Sequence, residues 1–427
     1  MGSDRGQTGV RPHLALSLKV MQRLEPRDVV IVSGARTPIG RYGGAFRSVH
    51  PAELGAVAAR AALERAGIDA RRVDEVVMGH ARQAGSGPNT ARQVARRAGL
   101  PDTVPAYTVN KACASSLQAI ASAAQSIVLG ESDVVVAGGM ESMSRMPYLI
   151  ESDAVRWGNR MGNFTLLDAM YRDGFTCSLC GLVMGETAEL LARQYNISRQ
   201  ASDTYALQTQ QRAAAAISAG RFADEIAPVT VTNAKGQSTV VAADEHPRPD
   251  TTLEGLTKLP PAFANVEGQA GIITAGTSSG ITDGGAAVVL MSEKKALSAR
   301  LRPRARILGW ASAAVDPRIM GIGPVPAVHK LLPRLGLTLD DFDLVEINEA
   351  FAPQVLAVLH DLPVPREKLN VNGGAIALGH PIGATGARIL VTLLHEMEKR
   401  DVRRGLATLC VSGGLGMAMA IEREKRT

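Results

Sequence analysis

The sequence predicts an α/β fold in which a βαβ domain occurs twice and a loop domain is inserted into the first copy. Buried, β-branched runs such as residues 29–33 and 133–137 alternate with alanine-rich helices, which is typical of a mostly parallel sheet covered on both faces. The alternation stops between about residues 148 and 268 and then resumes. Finally, the second half of the 427-residue chain repeats the first.

These patterns give the domain boundaries. Residues 1–27 have little regular pattern, and we expect a disordered N-terminal extension there rather than a targeting segment. The predicted domains are a first βαβ domain (residues 28–147 with 270–292), a loop domain (148–269) and a second βαβ domain (293–427).

Helix boundaries follow from capping residues. In the first domain, a helix over residues 51–65 should end at Gly67, since glycine readily adopts the left-handed conformation of a helix stop. In the loop domain, we expect helices over about 184–195 and 199–219, the second starting after Ser198. A β-hairpin should follow, with strands at 229–232 and 239–242.

Three stretches of the second half echo the first. The pairs, second half first, are residues 336–350 with 67–81, 370–374 with 108–112, and 407–415 with 134–140. In this alignment Asn348 falls opposite Gly79, and Gly413 falls opposite Gly138. The constant order of strands and helices favours a duplicated domain.

Composition excludes several classes of function. The net charge of +6 comes from dispersed arginines, and only 4% of residues are aromatic, which argues against nucleic-acid binding and favours a small polyanionic ligand. No run of 18 uncharged apolar residues predicts a membrane span. Four cysteines do not make a disulfide framework, so we expect a reducing, cytoplasmic location.

Cys113 lies where an apolar strand gives way to an Ala/Ser-rich helix that ends at Gly130. The first N–H groups of a helix lack intrahelical partners and carry partial positive charge. They would stabilise a thiolate, lower the cysteine pKa and favour a nucleophile. A buried, structural cysteine is the open alternative.

Three other residues stand at strand ends or in glycine-rich turns. His380 lies in a glycine-rich segment before Pro381 and is a candidate general base. Cys410 ends a strand, where open α/β sheets place ligands. Asn348 follows a strand and opens a helix, so it is either a helix cap or a group that holds a water or substrate oxygen.

These residues fall in five motifs that resemble those of the thiolases, over about residues 28–423. The motifs are Asn110-Lys-Ala-Cys-Ala-Ser-Ser, Gly138-Gly-Met-Glu-Ser-Met-Ser, Asn348-Glu-Ala-Phe-Ala, Gly373-Gly-Ala-Ile-Ala-Leu-Gly-His-Pro and Cys410-Val-Ser-Gly-Gly-Leu-Gly. The resemblance implies a five-layered α-β-α-β-α core, with acetyl-CoA acetyltransferase or 3-ketoacyl-CoA thiolase activity in fatty acid metabolism, including β-oxidation.

The resemblance also implies residue roles. Cys113 would be the acylated nucleophile, His380 its base, and Cys410 the second acid/base. Asn348, through a water and with His380, would stabilise one thioester oxyanion. The backbone N–H groups of Cys113 and Ser412 would form the other oxyanion hole.

By the same resemblance, acyl-CoA and CoA are the substrates, with no permanently bound cofactor and no metal, and the chain forms a homodimer or homotetramer. Ser279 should touch the pantetheine, while Met184 and Phe351 should line the acyl pocket. Lys235, on the predicted hairpin, is a candidate for the CoA phosphates, and a solvated lysine is the alternative.

The sequence departs from the family pattern at a few positions. Ser412 stands where a third glycine is common, Val183 where a histidine is common, His80 where asparagine is usual and Thr277 where asparagine is common. None of the four proposed catalytic side chains is affected, so the departures concern chain length and pocket detail.

Other functions are less consistent with the sequence. A ketoacyl-carrier-protein synthase uses two basic partners rather than a second cysteine, a non-catalytic carrier should lack one of the reactive residues, and no dinucleotide fingerprint is present. Cys177-Ser-Leu-Cys180 has no second pair or histidine cluster for a metal. We interpret it as a chance pair, with a regulatory disulfide as the open alternative.

Overall fold

The computed structural model describes residues 28–424. The predicted N-terminal extension, residues 1–27, lies outside the described residues, as does the end of the chain after residue 424.

The strands are β1 (Val29–Arg36), β2 (Gly40–Arg41), β3 (Glu75–Gly79), β4 (Ala106–Val109), β5 (Val134–Ser142), β6 (Tyr148–Leu149), β7 (Leu167–Asp168), β8 (Val229–Thr232), β9 (Ser238–Val241), β10 (Thr282–Ser292), β11 (Ala305–Ala314), β12 (Leu344–Ile347), β13 (Arg404–Val411) and β14 (Leu415–Glu422). The α-helices are α1 (Pro51–Ala66), α2 (Thr90–Arg97), α3 (Ser115–Leu129), α4 (Ser152–Val155), α5 (Met184–Gln194), α6 (Arg199–Ser218), α7 (Leu253–Thr257), α8 (Glu293–Ser298), α9 (Pro324–Leu335), α10 (Ala352–Asp361), α11 (Ala375–Leu378) and α12 (Thr385–Lys399).

The predicted helix ends and hairpin are confirmed. Gly67 ends α1 in the left-handed conformation, at φ 64°. The Ser198 side chain accepts a hydrogen bond from the N–H of Ala201 and so caps α6. The loop-domain hairpin is β8 paired antiparallel with β9.

Ten strands form one sheet whose two halves share the same order over four strands, and β4 extends the first half by a fifth. Reading outward from the centre, one half is β1-β10-β5-β3-β4 and the other is β11-β14-β13-β12, with β2 attached to β10. The halves join where Val30 pairs with Arg306 and Ile31 with Ala305. The matched order agrees with the predicted duplication.

The sheet is mixed, so the prediction of a mostly parallel sheet is wrong. In each half the inner strands pair antiparallel, and only the outer pairs β3–β4, β3–β5 and β12–β13 are parallel. Strands buried on both faces show the same continuous apolar runs in either orientation, which is why the sequence pattern did not distinguish them.

The five predicted layers are confirmed by the packing of the core. Helices α3 and α12 pack against each other between the two half-sheets. Helices α1 and α2 cover the outer face of the first half-sheet, and α9 and α10 cover the outer face of the second. Each half-sheet is therefore buried on both faces.

Helix α3 is the apolar centre of this arrangement. Residues Ala112–Leu129 form the stretch, among residues 28–424, that is long and apolar enough to cross a membrane by length and composition, with a mean hydropathy of 1.3. However, 61% of it is buried inside the protein. Its position between two half-sheets accounts for that hydropathy.

The register of the predicted repeat needs one correction. Met78 of β3 pairs with Gly138, whereas its counterpart Ile347 of β12 pairs with Thr408. The structural equivalent of Gly138 is therefore Thr408 inside β13, and Gly413 lies beyond it in the turn before β14. Both glycines follow apolar runs, and this similarity misled the alignment.

Candidate active site

Cys113 lies in a tight turn between β4 and α3. The turn, Ala112–Ala114, is a 3₁₀-helix, and Ala112 has a φ of 43°. The left-handed conformation costs a residue with a Cβ about 1–2 kcal/mol. Hydrogen bonds hold it: the Ala112 N–H donates to Asn110 Oδ1 at 3.0 Å, and Ser115 Oγ donates to the Ala112 carbonyl at 2.6 Å. The structure thus fixes the backbone next to the thiol.

Burial raises the pKa of the Cys113 thiol, so the prediction that its position lowers this pKa is wrong in net direction. The Arg82 guanidinium and the backbone N–H groups of Ser412 and of Cys113 itself act in the opposite direction. Desolvation is the larger effect, because removing a charge from water outweighs these favourable contacts. The thiol therefore needs a base.

His380 lies between α11 and α12 and is positioned by a hydroxyl. Its Nδ1 is 2.6 Å from Thr385 Oγ1, and that hydroxyl donates its proton to the Pro381 carbonyl at 3.0 Å. Nδ1 must therefore carry the hydrogen and donate it, which leaves the lone pair on Nε2. Burial, followed by the positive charges of Arg388 and Arg82, lowers the pKa of His380 to about 3. The imidazole is a neutral base at physiological pH.

Cys410 lies in β13 and is only 1% exposed. Burial raises the pKa of its thiol well above the usual range, and a negative charge on the nearby Cys113 raises it further. Cys410 belongs to a small apolar cluster with Met320 and Ala350, against which the predicted pocket residues Met184 and Phe351 pack. A thiol in this setting remains protonated and can deliver a proton.

Asn348 follows β12 and has an unpaired side-chain amide. The residue is 1% exposed, and its backbone N–H donates to the Thr408 carbonyl at 3.0 Å. Neither side-chain amide atom has a hydrogen-bond partner among residues 28–424. Asn348 does not cap a helix, since α10 starts after Phe351. A buried, unpaired amide costs about 1–3 kcal/mol, which indicates a binding position for a ligand oxygen.

The remaining candidates fall into two groups. Ser279 lies beside the site, since its N–H donates to the Ala350 carbonyl at 2.9 Å. Ser412 is also part of the site, because its backbone N–H lies beside the Cys113 sulfur and favours the thiolate. Lys235 is exposed in the turn between β8 and β9, a hairpin that packs on a separate cluster around Phe46. None of the described contacts joins Lys235 to the site.

Glu141 is a structural link that sequence reasoning missed. This fully buried carboxylate of β5 accepts the N–H of Arg82 at 3.1 Å and of Gly383 at 2.9 Å, and it lies 3.2 Å from His80 Nε2. It thus ties the loop after β3 to the turn after His380. A carboxylate at the end of a buried apolar strand was the signal that could have identified it.

A second buried carboxylate, Glu349, holds the segment next to Asn348. It accepts hydrogen bonds from Tyr205 Oη at 2.8 Å, Thr209 Oγ1 at 3.0 Å and Asn370 Nδ2 at 2.9 Å. Two of these donors lie in α6, so Glu349 attaches the loop-domain helix to the second half of the core. Within the described residues, no three His, Cys, Asp or Glu side chains are grouped as a metal site.

Comparison with known proteins gives the class to which this site belongs. Residues 29–294 match the model of the thiolase N-terminal domain, and residues 301–423 match that of the thiolase C-terminal domain. The chain therefore belongs to the thiolase family, and it is an acyltransferase. This confirms the resemblance drawn from the five sequence motifs.

Relatives of known name agree with the family. The acetyl-CoA acetyltransferase of Escherichia coli strain K12 is 52% identical over 397 residues, which cover 93% of this chain and 99% of that protein. The crystal structure of the Bacillus anthracis acetyl-CoA acetyltransferase superimposes with a TM-score of 0.90 at 47% identity, covering 93% and 99% of the two chains. Human mitochondrial 3-ketoacyl-CoA thiolase gives a TM-score of 0.88 at 44% identity, covering 93% and 98%.

Proposed function

We propose that this chain catalyses the reversible, CoA-dependent cleavage of a 3-ketoacyl-CoA into acetyl-CoA and a shortened acyl-CoA, and the reverse condensation of two acetyl-CoA. The main support is the pair of thiols, one beside two backbone N–H donors and one enclosed and protonated. The substrate class follows the names of the relatives, of which several are acetyl-CoA acetyltransferases.

The reaction starts from a neutral pair. Burial disfavours both a thiolate at Cys113 and an imidazolium at His380, so the proton moves from Sγ to Nε2 as the sulfur attacks the 3-keto carbon. The backbone N–H groups of Cys113 and Ser412, which lie beside the Cys113 sulfur, donate to the oxyanion that forms there. Collapse of this intermediate breaks the C–C bond and leaves an acyl group on Cys113.

The leaving fragment is the enolate of acetyl-CoA. Cys410 donates its thiol proton to the enolate carbon, and the unpaired Asn348 amide contributes to binding the enolate oxygen. Acetyl-CoA then departs and CoA enters. The CoA thiol gives its proton to the Cys410 thiolate as its sulfur takes the acyl group from Cys113, and the released Cys113 thiolate recovers its proton from His380 Nε2. Because one product leaves before the second substrate enters, the kinetics are ping-pong.

The same proposal covers the accessory predictions. CoA acts as a substrate, the chain holds no permanently bound cofactor, and it works in the cytoplasm as a homodimer or homotetramer. Ser279, Met184 and Phe351 contact the acyl-CoA, which agrees with their positions around Cys410. For Lys235 the exposed hairpin position favours the alternative of a solvated lysine.

The test is turnover of 3-ketoacyl-CoAs of graded chain length with CoA, with acetyl-CoA condensation measured in parallel. We expect thiolysis of at least the four-carbon substrate. No turnover of any substrate in either direction would contradict the proposal and favour a non-catalytic acyl-CoA carrier.

A further inference from the structure

Cys177 and Cys180 lie close together in a short turn near the active site. The two thiols are near enough for Cys177 to affect the ionisation of Cys180, and the N–H of Leu182 lies beside the Cys180 sulfur. Both cysteines are free thiols. Cys177 is 5% exposed, whereas Cys180 is partly accessible to solvent. One thiol is thus fixed in the protein and the other can meet a reagent.

A closed turn holds this pair together. Thr176 and Val183 form an antiparallel bridge at its base. Within the turn, the Cys177 N–H donates to the Leu182 carbonyl at 2.8 Å, and the Gly181 N–H donates to the Cys177 carbonyl at 2.8 Å. These bonds already close the short loop that carries both cysteines, so disulfide formation requires little additional ordering of the chain.

The turn lies next to the active site at two points. Leu179, between the two cysteines, lies with Cδ1 3.9 Å from where a Cβ on Gly413 would be. Gly413 follows Ser412, whose N–H contacts the Cys113 thiol. At its other end the turn leads into Met184, which packs against the cluster of Cys410. Movement of the turn is therefore transmitted to the groups around both thiols.

We propose that Cys177 and Cys180 form a reversible disulfide, a redox modification site at the edge of the active site, with a low-molecular-weight disulfide such as oxidised glutathione as the oxidant. The Cys180 thiolate attacks one sulfur of the oxidant and releases one thiolate. The Cys177 thiolate then attacks Cys180 Sγ and releases the second. The two protein protons pass to the two released thiolates, so two thiols are oxidised and one disulfide is reduced.

The rate and the effect follow from the surroundings. Burial raises the pKa of Cys180, and the neighbouring Cys177 thiol raises it further, so exchange takes minutes to hours. Because Cys177 is buried, closing the bond displaces Cys180 and Leu179, and this changes the surroundings of Gly413, next to Ser412. We expect acetyl transfer to fall by a factor of about 2–10, since small misplacements near reacting groups are costly.

The first test measures the bond itself and does not depend on the proposed function. The Cys113→Ala protein, which lacks the proposed nucleophilic thiol, is incubated with reduced and oxidised glutathione and digested. We expect the peptide that holds both cysteines to lose two hydrogens, and a dithiol to restore them. Cys180→Ser and Cys177→Ala should not form this product. Two free thiols, or a glutathione adduct that persists on Cys180, would overturn the proposal.

The second test measures the consequence and rests on the proposed function. Wild type and Cys180→Ser are treated with oxidised glutathione, and acetyl-CoA condensation is followed. Oxidation of Cys113 affects both proteins, so the additional loss in wild type reports the disulfide. Equal losses in the two proteins would contradict the link to the active site, even if the disulfide forms.

Discussion

Cys113 and Cys410 are the same residue type beside the same site, yet their surroundings differ. Cys113 lies in a strained turn, is half-buried, and has two backbone N–H groups and the charge of Arg82 near its sulfur. Cys410 is the next-to-last residue of β13, is almost fully enclosed, and packs against apolar side chains. Burial raises the pKa of both thiols. At Cys410 only its own backbone N–H opposes this effect, whereas at Cys113 the Ser412 N–H and the Arg82 charge oppose it as well.

This difference is the basis for the two roles that we propose. A thiol with oriented N–H donors and a neutral imidazole in the same site can lose its proton and become a nucleophile. A thiol without these partners keeps its proton and can only give it up to a strongly basic carbon. Residue identity is therefore less informative than the charges and donors around each sulfur.

The largest effect should come from removing the nucleophile. Cys113→Ala leaves no atom to accept the acyl group, so we expect thiolysis to fall by about four orders of magnitude or more. Steady-state rates with a four-carbon 3-ketoacyl-CoA measure this. Cys180→Ala, assayed under reducing conditions, is the matched control and should keep its activity. Full thiolysis by Cys113→Ala would refute the assignment.

Removing the base should have the next largest effect. We expect His380→Gln to lower kcat/KM by about 10²–10⁴-fold, since no other group in the site accepts the thiol proton. Because the pKa of His380 is lowered to about 3 from its ordinary 6.5, the imidazole is neutral above that value. The pH profile of wild type should therefore show no loss of kcat/KM around pH 6.5. A fall in kcat/KM near pH 6.5 that wild type shows and His380→Gln does not would contradict the lowered pKa of His380.

Cys410→Ser separates the two half-reactions. Its hydroxyl is a weaker acid than a thiol, so we expect C–C bond formation and cleavage to fall by about 10²–10³-fold. Acetyl exchange between acetyl-CoA and labelled CoA uses only Cys113 and His380 and should change little. Equal losses in both assays would show that Cys410 is not specific to the C–C step.

A smaller effect is expected at Thr385, which positions His380. Thr385→Val keeps the shape but removes the acceptor for Nδ1–H, a hydrogen bond of about 1 kcal/mol, so we expect about a fivefold loss of kcat/KM. Thr385→Ser keeps the hydroxyl and should recover most of the activity. If serine were no better than valine, the role of Thr385 would be packing alone.

The smallest effect on turnover should come from Arg82. Its positive charge favours the Cys113 thiolate, so Arg82→Met should raise the pKa of Cys113 and slow alkylation by iodoacetamide at neutral pH. The rate of alkylation against pH gives this pKa, and Arg82→Lys should restore part of the shift. An unchanged profile in Arg82→Met would remove Arg82 from the electrostatics of the site.

Sequence reasoning identified the residues that carry motifs and missed those that act through long-range contacts. Cys113, His380, Cys410 and Asn348 are each placed at a turn or strand end by local pattern, and the structure has them there. Glu141 acts through the N–H of Gly383, 242 positions away in the chain, and no local pattern reveals such a partner.

The errors have physical causes as well. The pKa direction of Cys113 was wrong because local sequence shows a helix start but not the desolvation that the completed core imposes. Thr385 was not identified from the sequence at all. Its positioning of His380 follows only from the hydrogen bond that its hydroxyl donates to the Pro381 carbonyl. The sequence did not reveal that most strands pair antiparallel, because a strand buried on both faces has the same apolar pattern in either orientation.

The most direct test of this account is to locate the acyl group on the wild-type protein. The enzyme is mixed with acetyl-CoA in the absence of free CoA, quenched in acid and digested, and the acetylated peptide is identified by mass spectrometry. We predict one acetyl group on Cys113 and none on Cys410. An acetyl group on Cys410, or its absence from both cysteines in an active enzyme, would contradict the central claim that the surroundings of Cys113 make it the nucleophile.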